Sequence, residues 1–124
     1  MAFRILHVDD DAIFRDFVQV IFADVEGYEV VSRQSAGDAL DTVEYLRPDV
    51  IILDIMMPTM GGLELIHELR QLPAIAQTPV ILLSARSRHL EQYASLREMA
   101  SVILTKPILP DVLRSEVTAI LTKV

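Results

Sequence analysis

The sequence predicts an α/β protein built on a five-stranded parallel sheet, doubly wound, with helices on both faces. Three observations lead there. Five short apolar runs rich in β-formers are separated by stretches whose apolar residues recur at helical spacing. The runs are almost wholly apolar, as expected of strands covered on both faces. At 124 residues the chain can bury one ordinary core and has no room for a second, so residues 1–124 read as a single domain. Repetition of a strand and a helix then implies right-handed crossovers between parallel strands.

The first run, Phe3 to Val8, opens the sheet. Ile13, Phe17, Val20, Ile21 and Val25 follow at helical spacing. A second strand spans Tyr28 to Ser32, and a second helix carries Ala39, Leu40, Val43 and Leu46. Val50 to Leu53 gives the third strand, with Leu63, Leu65, Ile66 and Leu69 on the helix after it. Val80 to Leu83 gives the fourth. Its helix, Ser87 to Met99, offers only Leu90, Tyr93, Ala94 and Leu96 or Met99 for burial and should pack lightly. The fifth strand, Val102 to Leu104, leads to a last helix carrying Val112, Leu113, Val117, Ile120 and Leu121.

Composition excludes several functions. No apolar run approaches the ~18 residues of a membrane span. The N-terminus lacks a basic region, a long apolar stretch and a small-residue cleavage site, which predicts no signal peptide and a cytoplasmic protein. Zero cysteines rule out disulfides and thiolate metal sites. A formal net charge of −7 argues against direct nucleic-acid binding, which needs a Lys/Arg footprint on phosphates.

In an open parallel sheet, ligands bind beyond the carboxyl ends of the strands, where strand order reverses. The residues there are Asp9, Asp10 and Asp11 after the first strand, Asp54 after the third, Ser84 after the fourth and Lys106 after the fifth. The second ends in Arg33-Gln34-Ser35, which points to no chemistry. Taken singly, most of these have an ordinary explanation. Asp10 or Asp11 could cap the next helix, Ser84 is a common loop residue, and Lys106 could simply be solvated. Asp54 is harder to dismiss, because it closes the apolar run "DVIIL" and precedes the apolar "IMMP", where an unpartnered carboxylate is costly. Together they describe a site for a hard divalent cation and a phosphoryl group. Magnesium takes oxygen ligands from one or two carboxylates plus substrate phosphate. Asp9 and Asp10 offer that pairing, and Lys106 can offset the remaining repulsion.

The motifs "ILHVDDD" (residues 5–11), "GDAL" (37–40), "PDVIILDIMMPTMGGLEL" (48–65), "TPVILLSA" (78–85) and "ILTKP" (103–107) jointly resemble the receiver domain of bacterial two-component response regulators, over essentially the whole chain. The resemblance implies a flavodoxin-like sheet of order 2-1-3-4-5. It also implies that Asp54 is the phosphoacceptor and that Asp9 and Asp10 hold Mg²⁺, Asp10 more directly. The backbone carbonyl of Met56 completes the metal shell. Ser84 is the switch hydroxyl, Lys106 pairs with the phosphoryl group, and Lys106-Pro107 is a candidate cis peptide. The implied partners are a sensor histidine kinase or phosphotransfer protein upstream, and an output protein or domain controlled through the fourth helix, fifth strand and last helix. A phosphorylation-dependent dimer on that face is compatible with this, although no residue singles it out. The implied chemistry is self-directed, with no turnover of an external substrate.

The chain departs from the family pattern at three positions, and two variable positions flank the site. Ile103 stands where an aromatic ring usually rotates with the switch, and isoleucine is stiff at χ1 with no polar tip. Met99 replaces a usual glycine, and Gly61 a common Asp. Met56 and Arg86 occupy positions that govern access of the hydrolytic water. An apolar and a bulky cationic side chain there predict slow autodephosphorylation, so an Asp54 phosphate lasting longer in Met56→Asn than in the native chain would overturn that expectation. Competing readings are a phosphorylation-independent pseudo-receiver, a small haloacid-dehalogenase-type phosphatase using Asp9 and Asp11, and an FMN binder. All five site residues are present, which disfavours the first. The second leaves Asp54 unexplained, and three carboxylates would repel the phosphate of the third.

Overall fold

The computed structural model describes residues 3–55, 62–84 and 99–122. Five parallel strands, β1 (Arg4–Val8), β2 (Glu29–Arg33), β3 (Val50–Asp54), β4 (Val80–Ser84) and β5 (Val102–Thr105), form one sheet in the order β2-β1-β3-β4-β5. Every residue of β3 and β4 is buried. Hence their sequences alternate no polar residues and read as continuous apolar runs.

Four strands run one residue further than the apolar pattern predicts. Arg33, Asp54, Ser84 and Thr105 are strand residues, because the ladder bonds backbone groups whatever the side chain. Asp54 registers with Leu83, and Ser84 with Thr105. Two of the predicted site residues are therefore fixed by the sheet itself and not by loops.

Alternation along each strand divides the core into two layers. Leu6, Val8, Ile51, Leu53 and Leu82 face α2 (Ala36–Leu46) and α3 (Gly62–Gln71), which bury Ala39, Val43, Leu65, Ile66 and Leu69 against them. On the other face Ile5, Val50, Ile52, Ile81 and Leu83 meet Val18, Ile21 and Phe22, and Leu113 and Val117 of the C-terminal helix (Pro110–Leu121). α1 (Ala12–Val18) begins at Asp11, whose carboxylate accepts from the Ile13 and Phe14 amides at 3.0 and 3.4 Å. Of the two capping candidates, Asp11 takes the role. α2 is capped by Ser35, whose hydroxyl accepts from the Asp38 amide at 3.2 Å. It ends at Arg47 in the left-handed region, φ 50°, just before Pro48.

The helical spacing misplaces four apolar residues. Ile13, Val20, Val25 and Val112 are exposed, Ile13 by 82%. The backbone after Val18 widens into π-type hydrogen bonding over Gln19–Val25. With more residues per turn, side chains spaced for an α-helix leave the buried stripe, and Val18, Ile21 and Phe22 take it. The predicted fourth helix falls outside the described residues except for Met99, which is partly buried against the α2/α3 layer. No helix among the described residues is long and apolar enough to cross a membrane.

Candidate functional site

Strand order reverses between β1 and β3, whose ends are level: Val8 registers with Leu53. Asp9 leaves β1 and Asp54 closes β3, so both carboxylates meet at the switch point where such sheets bind ligands. One carboxylate oxygen from each of Asp9, Asp10 and Asp54 can lie within 4.8 Å of the others. Asp9 and Asp54 are buried, while Asp10 faces solvent.

Lys106 crosses from β5 to join them. Its Nζ lies 3.1 Å from Asp9 Oδ2 and 3.7 Å from Asp54 Oδ2, and 4.2 Å from the centre of the Phe14 ring, in range of a cation–π contact. The Lys106 amide donates to the Ser84 carbonyl at 2.6 Å, tying the ends of β5 and β4, and the Lys106-Pro107 bond is cis. Ser84 is buried at the same edge. The structure thus brings Asp9, Asp10, Asp54, Ser84 and Lys106 to one edge of the sheet. Met56 and Arg86 lie outside the described residues. Ile103 registers with Leu82 and is half-buried against the α2/α3 layer.

Asp9 is held firmly as a carboxylate. Burial opposes its ionisation, but the facing His7 ring, the Asp11 amide on Oδ1 at 3.0 Å and the Lys106 ammonium outweigh burial and bring its pKa down to about 2. His7 is fully buried, and desolvation lowers its pKa below the ordinary 6.5 against the opposing pull of Asp9. The ring is therefore neutral at pH 7. Its Nε2 is 3.5 Å from Asp9 Oδ2, an electrostatic contact without the geometry of a hydrogen bond.

The donor set suits a hard divalent cation. Asp9, Asp10 and Asp54 bring three negative charges against two from Lys106 and from Arg15, which donates to the Asp9 carbonyl at 2.8 Å. The net negative charge and all-oxygen ligands match Mg²⁺ better than a softer metal.

Sequence reasoning missed His7, Phe14 and Arg15. His7 was within reach, since a polar residue two positions before Asp9 in a doubly buried strand must share its face. The contacts of Phe14 with Lys106 and of Arg15 with Asp9 depend on where α1 docks. Beside the carboxylates, Ile13, Phe14, Phe17, Pro107 and Ile108 line an open, mainly apolar cavity of about 490 Å³.

A parallel sheet of this order, with acidic groups and one lysine converging at its carboxyl edge, defines a flavodoxin-like domain with an acidic cluster at its switch point. The chain belongs to the response regulator receiver domain family, whose model matches residues 5–118. It is similar to the response regulator MprA of a Mycobacterium species (strain KMS), with 35% identity over 99% of this chain and 52% of that protein. The chain therefore spans about half the length of that regulator. A 14.6 kDa protein of Leptolyngbya boryana is 39% identical over 86% of this chain and 80% of its own length. Among solved structures, the chemotaxis protein CheY4 of Vibrio cholerae superposes with a TM-score of 0.88 at 28% identity, covering 97% of this chain and 99% of that one.

Proposed function

We propose that this receiver takes a phosphoryl group onto Asp54 in a Mg²⁺-dependent reaction and passes the signal on by protein contact. The carrying observation is Lys106 Nζ shared between Asp9 at 3.1 Å and Asp54 at 3.7 Å, at the switch point of the sheet. One Asp54 oxygen attacks the phosphorus of a phosphohistidine or a small phosphodonor. The new oxygen–phosphorus bond forms as the bond to the leaving group breaks, and the leaving group keeps the electron pair. Lys106 meets the charge gathering on the phosphoryl oxygens, and the Ser84 hydroxyl donates to one of them. Asp9, Asp10, Asp54 and the Met56 carbonyl would hold Mg²⁺, which would supply further neutralisation of that charge. Water later attacks the phosphorus, releasing inorganic phosphate and restoring the carboxylate. The chain consumes its own phosphate and turns over no external substrate.

The upstream partner is a sensor histidine kinase or phosphotransfer protein in the cytoplasm. The apolar cavity beside the carboxylates supports docking of such a donor at this edge. Inward movement of Ser84 toward the phosphoryl group shifts the population of the face that includes β5 and the C-terminal helix, which controls an output partner or domain. Intact mass spectrometry after incubation with acetyl phosphate tests the reading. A single Mg²⁺-dependent phosphoryl adduct, absent in Asp54→Asn, is expected. No adduct under conditions that label another receiver would overturn it in favour of a pseudo-receiver.

A further inference from the structure

His7 is a buried titratable group at the site to which the proposed chemistry assigns no task. Both ring nitrogens lack a hydrogen-bond partner, which is true of no other buried side-chain nitrogen or oxygen among the described residues. Leaving them unpaired carries an uncompensated desolvation cost that a leucine in the same space would not. A residue that weakens the fold at a functional site calls for a compensating use.

The surroundings indicate that use. Asp9 Oδ1 is occupied by the Asp11 amide at 3.0 Å. Asp9 Oδ2 is held by Lys106 Nζ at 3.1 Å, and His7 Nε2 stands 3.5 Å from that same oxygen. The Asp9 carboxylate is the acceptor that faces Nε2, which assigns the imidazole proton to that nitrogen. Phe14 packs against the ring, with centroids 5.7 Å apart, and limits it to small movements. Lys106 is already shared with Asp54. A phosphoryl group on Asp54 would draw the ammonium toward its oxygens, and the buried Asp9 Oδ2 would lose its donor.

We propose that His7 is a positioning residue: as Lys106 turns to the phosphoryl group, Nε2–H closes onto Asp9 Oδ2 and keeps that carboxylate oriented as a metal ligand. A donor behind a ligating carboxylate commonly matters for affinity and rate at such sites. The inference rests on Asp54 being the phosphoacceptor, and the test separates the two.

Native protein, His7→Gln and His7→Leu are compared by urea unfolding without metal, by the rate of Mg²⁺-dependent labelling with acetyl phosphate, and by imidazole NMR with Mg²⁺ and beryllofluoride as the phosphoryl mimic. His7→Leu should be at least as stable as the native chain yet label about tenfold more slowly, in line with lost outer-shell partners. His7→Gln, which keeps an N–H at that reach, should recover most of the rate. In the native protein the Nε2–H resonance should move downfield and exchange more slowly with water when the mimic binds. Equal labelling of all three proteins with no change at Nε2–H would overturn the role of His7 and leave the phosphoacceptor intact. Equal loss in both variants would also overturn it, since the donor would not be what matters. Should His7→Leu fail to fold, His7→Gln and the NMR signal decide. A native chain that takes no label removes the phosphoacceptor reading and this one with it.

Discussion

Two cations bind distant segments of this sheet together, at opposite edges and in opposite states of satisfaction. At the amino ends of β4 and β5, Arg70 donates to the carbonyls of Met99, Ile75, Ala76 and Thr78 at 2.6 to 3.2 Å. Its planar fork is filled by neutral main-chain acceptors, an arrangement suited to holding α3 against the approach to β5. At the carboxyl ends, Lys106 is divided between two carboxylates, beside an acidic excess and an unpaired His7. A saturated cluster has nothing left to bind. An acidic excess around one shared lysine leaves electrostatic demand that the proposed metal and phosphoryl group would meet. The difference teaches that incomplete satisfaction, and not charge alone, separates the reactive edge from the structural one.

The sharpest way to break this comparison is to remove each cation. Lys106→Met should cut the rate of labelling by acetyl phosphate about 100-fold, the scale expected when one charge-stabilising donor is lost. Arg70→Met should leave that rate within about twofold of native, but lower stability to urea by about 2–3 kcal/mol, since several half-buried carbonyls lose their donor at once. Similar stability losses in both variants with no change in labelling would erase the distinction.

A smaller effect is expected at the helix that presents Phe14. Asp11→Ala removes the cap on the Ile13 and Phe14 amides and should cost about 1 kcal/mol in urea unfolding. The Asp11 amide that serves Asp9 is main chain and survives the substitution, so labelling should change little.

The smallest effect is in pH dependence, measured without metal. The folded-state pKa of His7 lies below 6.5, so the unfolded chain binds the extra proton first, and stability should begin to fall as pH drops below about 6.5. Asp9 is depressed from 3.8 to about 2, and its contribution should be complete above about 4 and lost as pH falls through about 2. His7→Leu should abolish the first slope and shrink the second, since the His7 ring is among the groups that hold the Asp9 pKa down. Persistence of the first slope would assign it to another group.

Much of this was legible in the sequence. Five apolar runs and the helical spacing between them determined the parallel sheet, because strands covered on both faces can carry almost no polar residues. The reactive edge was legible too: Asp9, Asp54, Ser84 and Lys106 each terminate such a run, and in parallel strands all carboxyl ends point the same way. What the linear pattern could not provide was the buried stripe of α1, where a π-type stretch carries Val20 and Val25 out of the core. Nor could it provide the state of the site. Whether Lys106 pairs with Asp9, 97 residues away, and whether Arg70 reaches the Met99 carbonyl, 29 residues away, are settled by tenths of an ångström between packed segments, as is whether His7 finds a partner. Periodicity determines which face a residue occupies; only packed tertiary structure decides how far its polar atoms are from one another, and hydrogen bonds and pKa values depend on that distance.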